Sequence, residues 1–155
     1  MLLWRLSSER RARDFDGGYG IYNDGRWNSA GHPVTYCSTT PSLAALEKRV
    51  HVTDPKLLPP QVMVVYEAPD DLPSRTISIA ELPGGWITQQ SHTQNLGNAW
   101  VEAAAEALLF VPSAIMPIAS APDRNVLINH RATSTNRIKI AETMTFTLDP
   151  RLFKP

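Results

Sequence analysis

Glu47 stands where its charge is out of keeping with its neighbours. Pro41 to Val50 reads as a helix whose apolar residues Leu43, Leu46 and Val50 define an inward stripe, and Glu47 falls inside that stripe. Lys48 and Arg49 point elsewhere. A carboxylate on a core-facing stripe is costly unless it is paired, reaches water at the edge or lines a cleft, and periodicity leaves both edge and cleft open. Arg26, between Gly25 and Trp27, follows Asp24 at an expected tight turn. Its guanidinium either offers paired N–H donors to a phosphate or lies over Trp27 or another ring. Tyr36 and Ser38 alternate on one face of a short strand, with Thr35 and Cys37 on the other, so a ring and a hydroxyl share one surface. Ser113 follows Pro112 and carries no local signal of its own.

Some chemistries are excluded at this level. No Gly-x-Ser-x-Gly elbow occurs, and no spacing pairs Cys37 with His32, His51, His92 or His130, which rules out the serine and cysteine hydrolase patterns. The same lone cysteine gives neither an internal disulfide nor a structural zinc site, and no metal is expected. Gly17-Gly18-Tyr19-Gly20 has no strand leading in and no Lys-Ser or Lys-Thr pair closing it, so it reads as a flexible loop.

The elements that must position these residues are short. Thirteen prolines are spread along 155 residues, which implies many brief elements joined by fixed turns. Strands are expected at Leu2–Leu6, Val34–Ser38, Gln61–Glu67, Thr76–Ile79, Leu109–Val111, Val126–Ile128, Arg137–Ile140 and Thr143–Leu148, with a hairpin over Ile21–Trp27 turning at Asp24-Gly25. Thr40 is a good N-cap for a helix from Pro41 to about Val50. Leu96, Ala99, Trp100, Ala103, Ala107 and Phe110 follow helical spacing, and Pro112 would stop that second helix. Strands that do not alternate strictly with helices point to an α+β fold, one domain over residues 1–155 with a largely antiparallel sheet.

Fifteen basic residues balance fifteen acidic ones, so no cationic surplus exists to displace counterions from duplex nucleic acid. The charge is uneven: residues 67–123 hold one basic and seven acidic groups, read as a solvated face or a docking surface for a basic partner. The uncharged stretch Ala107–Pro122 is too short and too broken by proline to cross a membrane. Met1–Leu6 does not resemble a secretory signal, and with a single cysteine this favours the cytoplasm.

Taken in order, Trp4-Arg5, Gly25-Arg26-Trp27-Asn28 with Gly31, Val34-Thr35-Tyr36-Cys37-Ser38, Ala44-Ala45-Leu46-Glu47, Val111-Pro112-Ser113, Asn125-Val126-Leu127-Ile128-Asn129 and Phe146-Thr147-Leu148-Asp149-Pro150-Arg151-Leu152 resemble the RES domain. That family supplies the toxin of bacterial RES–Xre toxin–antitoxin modules. The chain departs from it at His130, where the family usually has proline. The resemblance implies a split sheet flanked by helices, similar to ADP-ribosyltransferases, and NAD as a substrate cleaved at its nicotinamide–ribose bond. It implies a toxin that depletes NAD by hydrolysis or phosphorolysis. The alternatives are a transferase that ADP-ribosylates a metabolic enzyme and a non-catalytic partner-binding module. It assigns catalysis to Arg26, Tyr36, Glu47 and Ser113, and the rest of the substrate pocket to Arg5, Gly25, Trp27, Ser38 and Asn129. An Xre-type antitoxin covering the active site is the implied partner.

Overall fold

Near-continuous apolar runs make strands that are covered on both faces. The computed structural model describes residues 1–154. Its strands are β1 (Leu2–Ser8), β2 (Val34–Ser38), β3 (Gln61–Glu67), β4 (Ser74–Thr76), β5 (Leu108–Pro112), β6 (Arg124–Asn129) and β7 (Lys139–Phe146). Three helices, α1 (Gly18–Tyr22), α2 (Pro41–Val50) and α3 (Gln90–Ala103), accompany them, giving an α+β fold. The sheet order is β4-β5-β6-β2-β1-β3-β7. Only β4 and β5 run parallel; every other neighbouring pair is antiparallel.

One seam divides the sheet. β1 and β3 stay in register along their whole length, from Leu2 opposite Glu67 to Ser8 opposite Gln61. β1 and β2 meet only where Trp4 lies opposite Ser38. The two halves therefore part on either side of this pair. Residues opposite one another share a face, so Trp4, Ser38 and Asn125 face the same way, as do Tyr36 and Leu127. The other face carries Leu3, Cys37, Val64, Tyr66, Val126 and Ile128, which form one apolar core. α2 packs over the seam through Ala44 against Leu6, Met63 and Leu148. Trp100 and Val101 of α3 join Trp27, Val34, Leu109, Val111 and Leu127 in another core. Among the described residues no helix is long and apolar enough to cross a membrane.

Several expected elements fold otherwise, each for a local reason. Ile21–Trp27 is not a hairpin: Gly17, at φ 74°, opens α1 where a flexible loop was expected. The buried amide of Asn28 then donates to the carbonyls of Gly20, Asn23 and Ser29, satisfying that backbone without a partner strand. The second helix stops at Ala104, at φ 51°, so Ala107 and Phe110 lie outside it. The β-favouring run that follows becomes β5, an ambiguity helical spacing does not resolve in short apolar segments. The buried residues of α3 are Thr93, Gly97, Trp100 and Val101, and Ala99 and Ala103 are exposed. β4 ends at Thr76 because Glu81 accepts from both the backbone and hydroxyl of Ser78, starting a short turn. The two strands expected over Arg137–Ile140 and Thr143–Leu148 are one, β7, whose register shift opposite Val65 and Tyr66 absorbs one extra residue. His130 donates its backbone N–H to Pro33, a bond that proline at this position could not make.

Candidate active site

α2 begins as its residues dictate. Thr40 accepts the Leu43 N–H at 3.3 Å, and Pro41 occupies the first turn without losing a bond. Leu43 and Ala44 are buried, whereas Val50 is 57% exposed, so the inward stripe leaves the core part-way along the helix. Glu47 lies at that exit, half-buried. Its side-chain contacts are those of a paired carboxylate.

Two donors hold a single oxygen of Glu47. Oε1 accepts from Ser113 Oγ at 2.9 Å and from Asn125 Nδ2 at 2.5 Å. Ser113 is fully buried at the end of β5, and its Oγ also accepts the N–H groups of Ile115 and Met116 at 3.0 and 3.2 Å. A hydroxyl has one proton and two acceptor sites. With both acceptor sites taken by backbone, the proton points at Glu47, and Ser113 orients the carboxylate rather than an incoming molecule. Among the described residues no donor reaches Glu47 Oε2.

Next to this cluster on β2 stands Tyr36. Its ring is half-buried, but its hydroxyl turns inward, donating to Asn28 Oδ1 at 2.7 Å and accepting the Trp27 N–H at 3.0 Å. Burial holds the phenol well above its ordinary range. Smaller opposing influences come from the Arg26 cation, which lowers it, and the Glu47 anion, which raises it. Tyr36 is thus neutral with its hydroxyl committed, and it offers its ring. Tyr19 packs edge-on against it, centroids 5.9 Å apart.

Arg26 sits in the loop between α1 and β2 rather than on a strand. Its Nη1 donates to the Ile87 carbonyl at 2.7 Å, and the guanidinium carbon lies 5.9 Å from the centroid of Trp86, not of Trp27. Trp27 is buried beneath, against Trp86. α3 fixes this loop by its backbone: Gln90 and Gln94 donate to the Gly25 carbonyl, and Thr93 donates to that of Arg26. A Cβ on Gly25 would lie 2.5 Å from both Asn28 Oδ1 and the Tyr36 hydroxyl, which explains glycine there.

Two expected site residues have other partners. Arg5 alternates with Trp4 along β1 and therefore faces the Leu3 and Tyr66 side, where it binds the Tyr66 and Ser7 hydroxyls and the carbonyls of Arg11 and Asp14. Asn129 is fully buried at the far end of β6 from Asn125. Its amide donates to the Trp100 and Val101 carbonyls and accepts the Arg131 N–H. Cys37 is buried too, its thiol pushed up to about 12 by burial, which keeps it unreactive. Among the described residues no three His, Cys, Asp or Glu side chains converge on a metal site.

The family model of the RES domain matches residues 2–149. The chain belongs to the RES domain family. A Pseudomonas putida protein named Toxin Res is 39% identical over 158 residues, spanning 99% of this chain and all of that one. A Sphingobium sp. protein named Prs ADP-ribosylating toxin is 29% identical over 158 residues, spanning 97% of this chain and 96% of its own. Among solved structures, a chain in the crystal structure of the M. tuberculosis MbcT–MbcA toxin–antitoxin complex shares the fold, with a TM-score of 0.74 at 16% identity. That alignment covers 98% of this chain and 86% of the other.

In this RES domain Gly25, Arg26 and Trp27 gather around Tyr36, and Glu47, Ser113 and, through Asn125, Ser38 form a second cluster on the same face of β2. The residue that sequence reasoning missed is Asn125. Its signal was available as a polar side chain directly before the apolar run Val126–Ile128, but only the register places it opposite Ser38.

Proposed function

We propose that this RES domain is the toxin of a toxin–antitoxin pair and cleaves NAD at the nicotinamide–ribose bond. The observation that carries the reading is the half-buried Glu47 carboxylate, with Oε1 held by two donors and Oε2 without a donor among the described residues.

Breaking an N-glycosidic bond builds positive charge on the ribose while neutral nicotinamide departs with the bonding electron pair. A fixed carboxylate beneath the sugar stabilises that charge more in the transition state than in the ground state. Oε2 is the oxygen available to accept a ribose hydroxyl. Tyr36 supplies a neutral aromatic surface for nicotinamide, and Arg26 supplies a cation for the pyrophosphate once its bond to Ile87 is exchanged. Ser113 acts through Glu47. Gly25 and Trp27 shape the loop that carries Arg26. An acceptor then attacks the exposed ribose carbon: water gives ADP-ribose, phosphate gives ADP-ribose-1″-phosphate, and a protein side chain gives an ADP-ribosylated target. The name of the Sphingobium relative supports the last of these as a second reading.

The pool of NAD that such a toxin drains places it in the cytoplasm, beside an Xre-type antitoxin that covers the cleft. Incubation of the purified chain with NAD should release nicotinamide, and adding phosphate or a candidate protein target distinguishes the three acceptors by product. Nicotinamide release no faster than that of Glu47→Gln under all three conditions sinks the reading. Co-expression with the antitoxin should restore growth and yield a stable complex.

A further inference from the structure

We infer that Asn125 is a positioning residue for the Glu47 carboxylate, held in its working orientation by Ser38. The inference deepens the NAD-cleavage reading and rests on it for its kinetic consequence.

Asn125 makes two side-chain hydrogen bonds among the described residues, one across the strand pair and one to the helix that carries Glu47. Its Nδ2 donates to Glu47 Oε1 at 2.5 Å, and its Oδ1 accepts from Ser38 Oγ at 3.2 Å. The direction of the amide follows from chemistry: a carboxylate oxygen only accepts, so the nitrogen must face it, and the hydroxyl supplies the proton that the amide oxygen needs. Register makes the contact possible, because Ser38 and Asn125 lie opposite one another and project to one face. Ser38 is 3% exposed and sits at the single pair that joins the two halves of the sheet. The seam of the sheet therefore sets the Asn125 amide, and the amide sets the carboxylate.

Ser113 alone would leave the carboxylate free to rotate about its one hydrogen bond. A second donor arriving on the same oxygen from another strand fixes the plane of the group, and with it the direction in which Oε2 points. Both donors fall on Oε1. Neither competes with a ribose hydroxyl for Oε2, the pattern expected of groups that orient a carboxylate without occupying its reactive side.

The test combines structure and kinetics on the full chain. Asn125→Ala removes the donor; Asn125→Asp keeps the size but sets a second carboxylate against Glu47. Crystal structures of both should show the Glu47 carboxylate rotated from the position in which Oε1 meets Ser113. In the nicotinamide-release assay kcat should fall at least about tenfold, the size expected from losing a hydrogen bond to a charged group, with KM for NAD within about twofold of the parent. Ser38→Ala should produce a smaller fall, and combining it with Asn125→Ala should add nothing further, since Ser38 acts through that amide. A Glu47 carboxylate unmoved in both Asn125 variants, or a kcat per folded molecule equal to the parent's, overturns the inference. Absence of nicotinamide release from the parent would instead overturn the NAD reading, and the crystal structures would still decide whether Asn125 positions Glu47.

Discussion

A carboxylate that works by its charge and one that works by its hydrogen bonds respond differently to amidation, and Glu47 separates the two cleanly. In Glu47→Gln the amide oxygen can take the place of Oε1 and keep the bonds from Ser113 and Asn125, while the new nitrogen falls where Oε2 has no partner. Folding should survive, with a melting temperature equal to or slightly above the parent's, because a charge on a half-buried face has been removed. NAD turnover should fall at least about a hundredfold, comparable to losing one strong electrostatic stabiliser. Earlier melting, with activity tracking the folded fraction, would assign Glu47 to structure. Arg26 makes the complementary case. Lys keeps the cation but loses the planar fork, so NAD affinity should rank Arg26 above Arg26→Lys and that above Arg26→Ala. Equal affinity of the three proteins in calorimetry would remove Arg26 from the pocket. Its present contacts, the Ile87 carbonyl and the face of Trp86, also predict that Arg26→Ala loosens the 86–88 turn.

α3 acts on the site by holding the Gly25–Ser29 loop, through the side chains of Gln90, Thr93 and Gln94 and through close approach at Gly97, rather than by presenting reactive groups. At Gly97 any Cβ would run into the Trp27 carbonyl oxygen, a backbone atom that cannot swing aside. Gly97→Ala should therefore cost stability at the upper end of the about 1–3 kcal/mol typical of overpacking, read as a lower urea midpoint. By pushing the Gly25–Ser29 loop away it should also raise KM for NAD, whereas an alanine variant as stable as the parent would show that helix and loop are not in this contact. Legibility in the sequence followed the same division between local and distant causes. The bounds of α2, β2 and β3 could be read directly, since a capped, proline-started helix and dense β-branched runs carry their own signals. So could the anomaly at Glu47. The loop around Asn28 could not, because one buried amide there replaces strand pairing, nor could the end of α3, where helical spacing continued by chance into β5. Asn125 and Arg5 differ only in which face the register gives them, and no local pattern reports the register of a seam joined at one pair.

For the whole molecule, His130 reports on how the halves of the sheet are tied together. It follows β6, its backbone is bonded to Pro33 ahead of β2, and its ring meets Phe15 edge-on at 4.8 Å while Nε2 pairs with Thr35 Oγ1 at 2.8 Å. Phe15 in turn packs on Tyr66 of β3, across the seam. Burial, opposed by the Asp16 charge and assisted by that of Arg5, lowers the imidazole to about 4. The unfolded chain binds this proton near pH 6.5, and the folded chain does not until near pH 4. Between those values the unfolded state holds more protons, so stability is complete above about pH 6.5 and is lost as pH falls toward 4, by at most about 3 kcal/mol. Urea midpoints measured from pH 7.5 down to 4.5 should decline more steeply in the parent than in His130→Phe, which keeps the ring contact with Phe15 but cannot titrate. The variant should start lower at pH 7.5, having left Thr35 Oγ1 without its partner, and the two curves should converge on acidification. Parallel curves would mean that His130 is protonated alike in the folded and unfolded states.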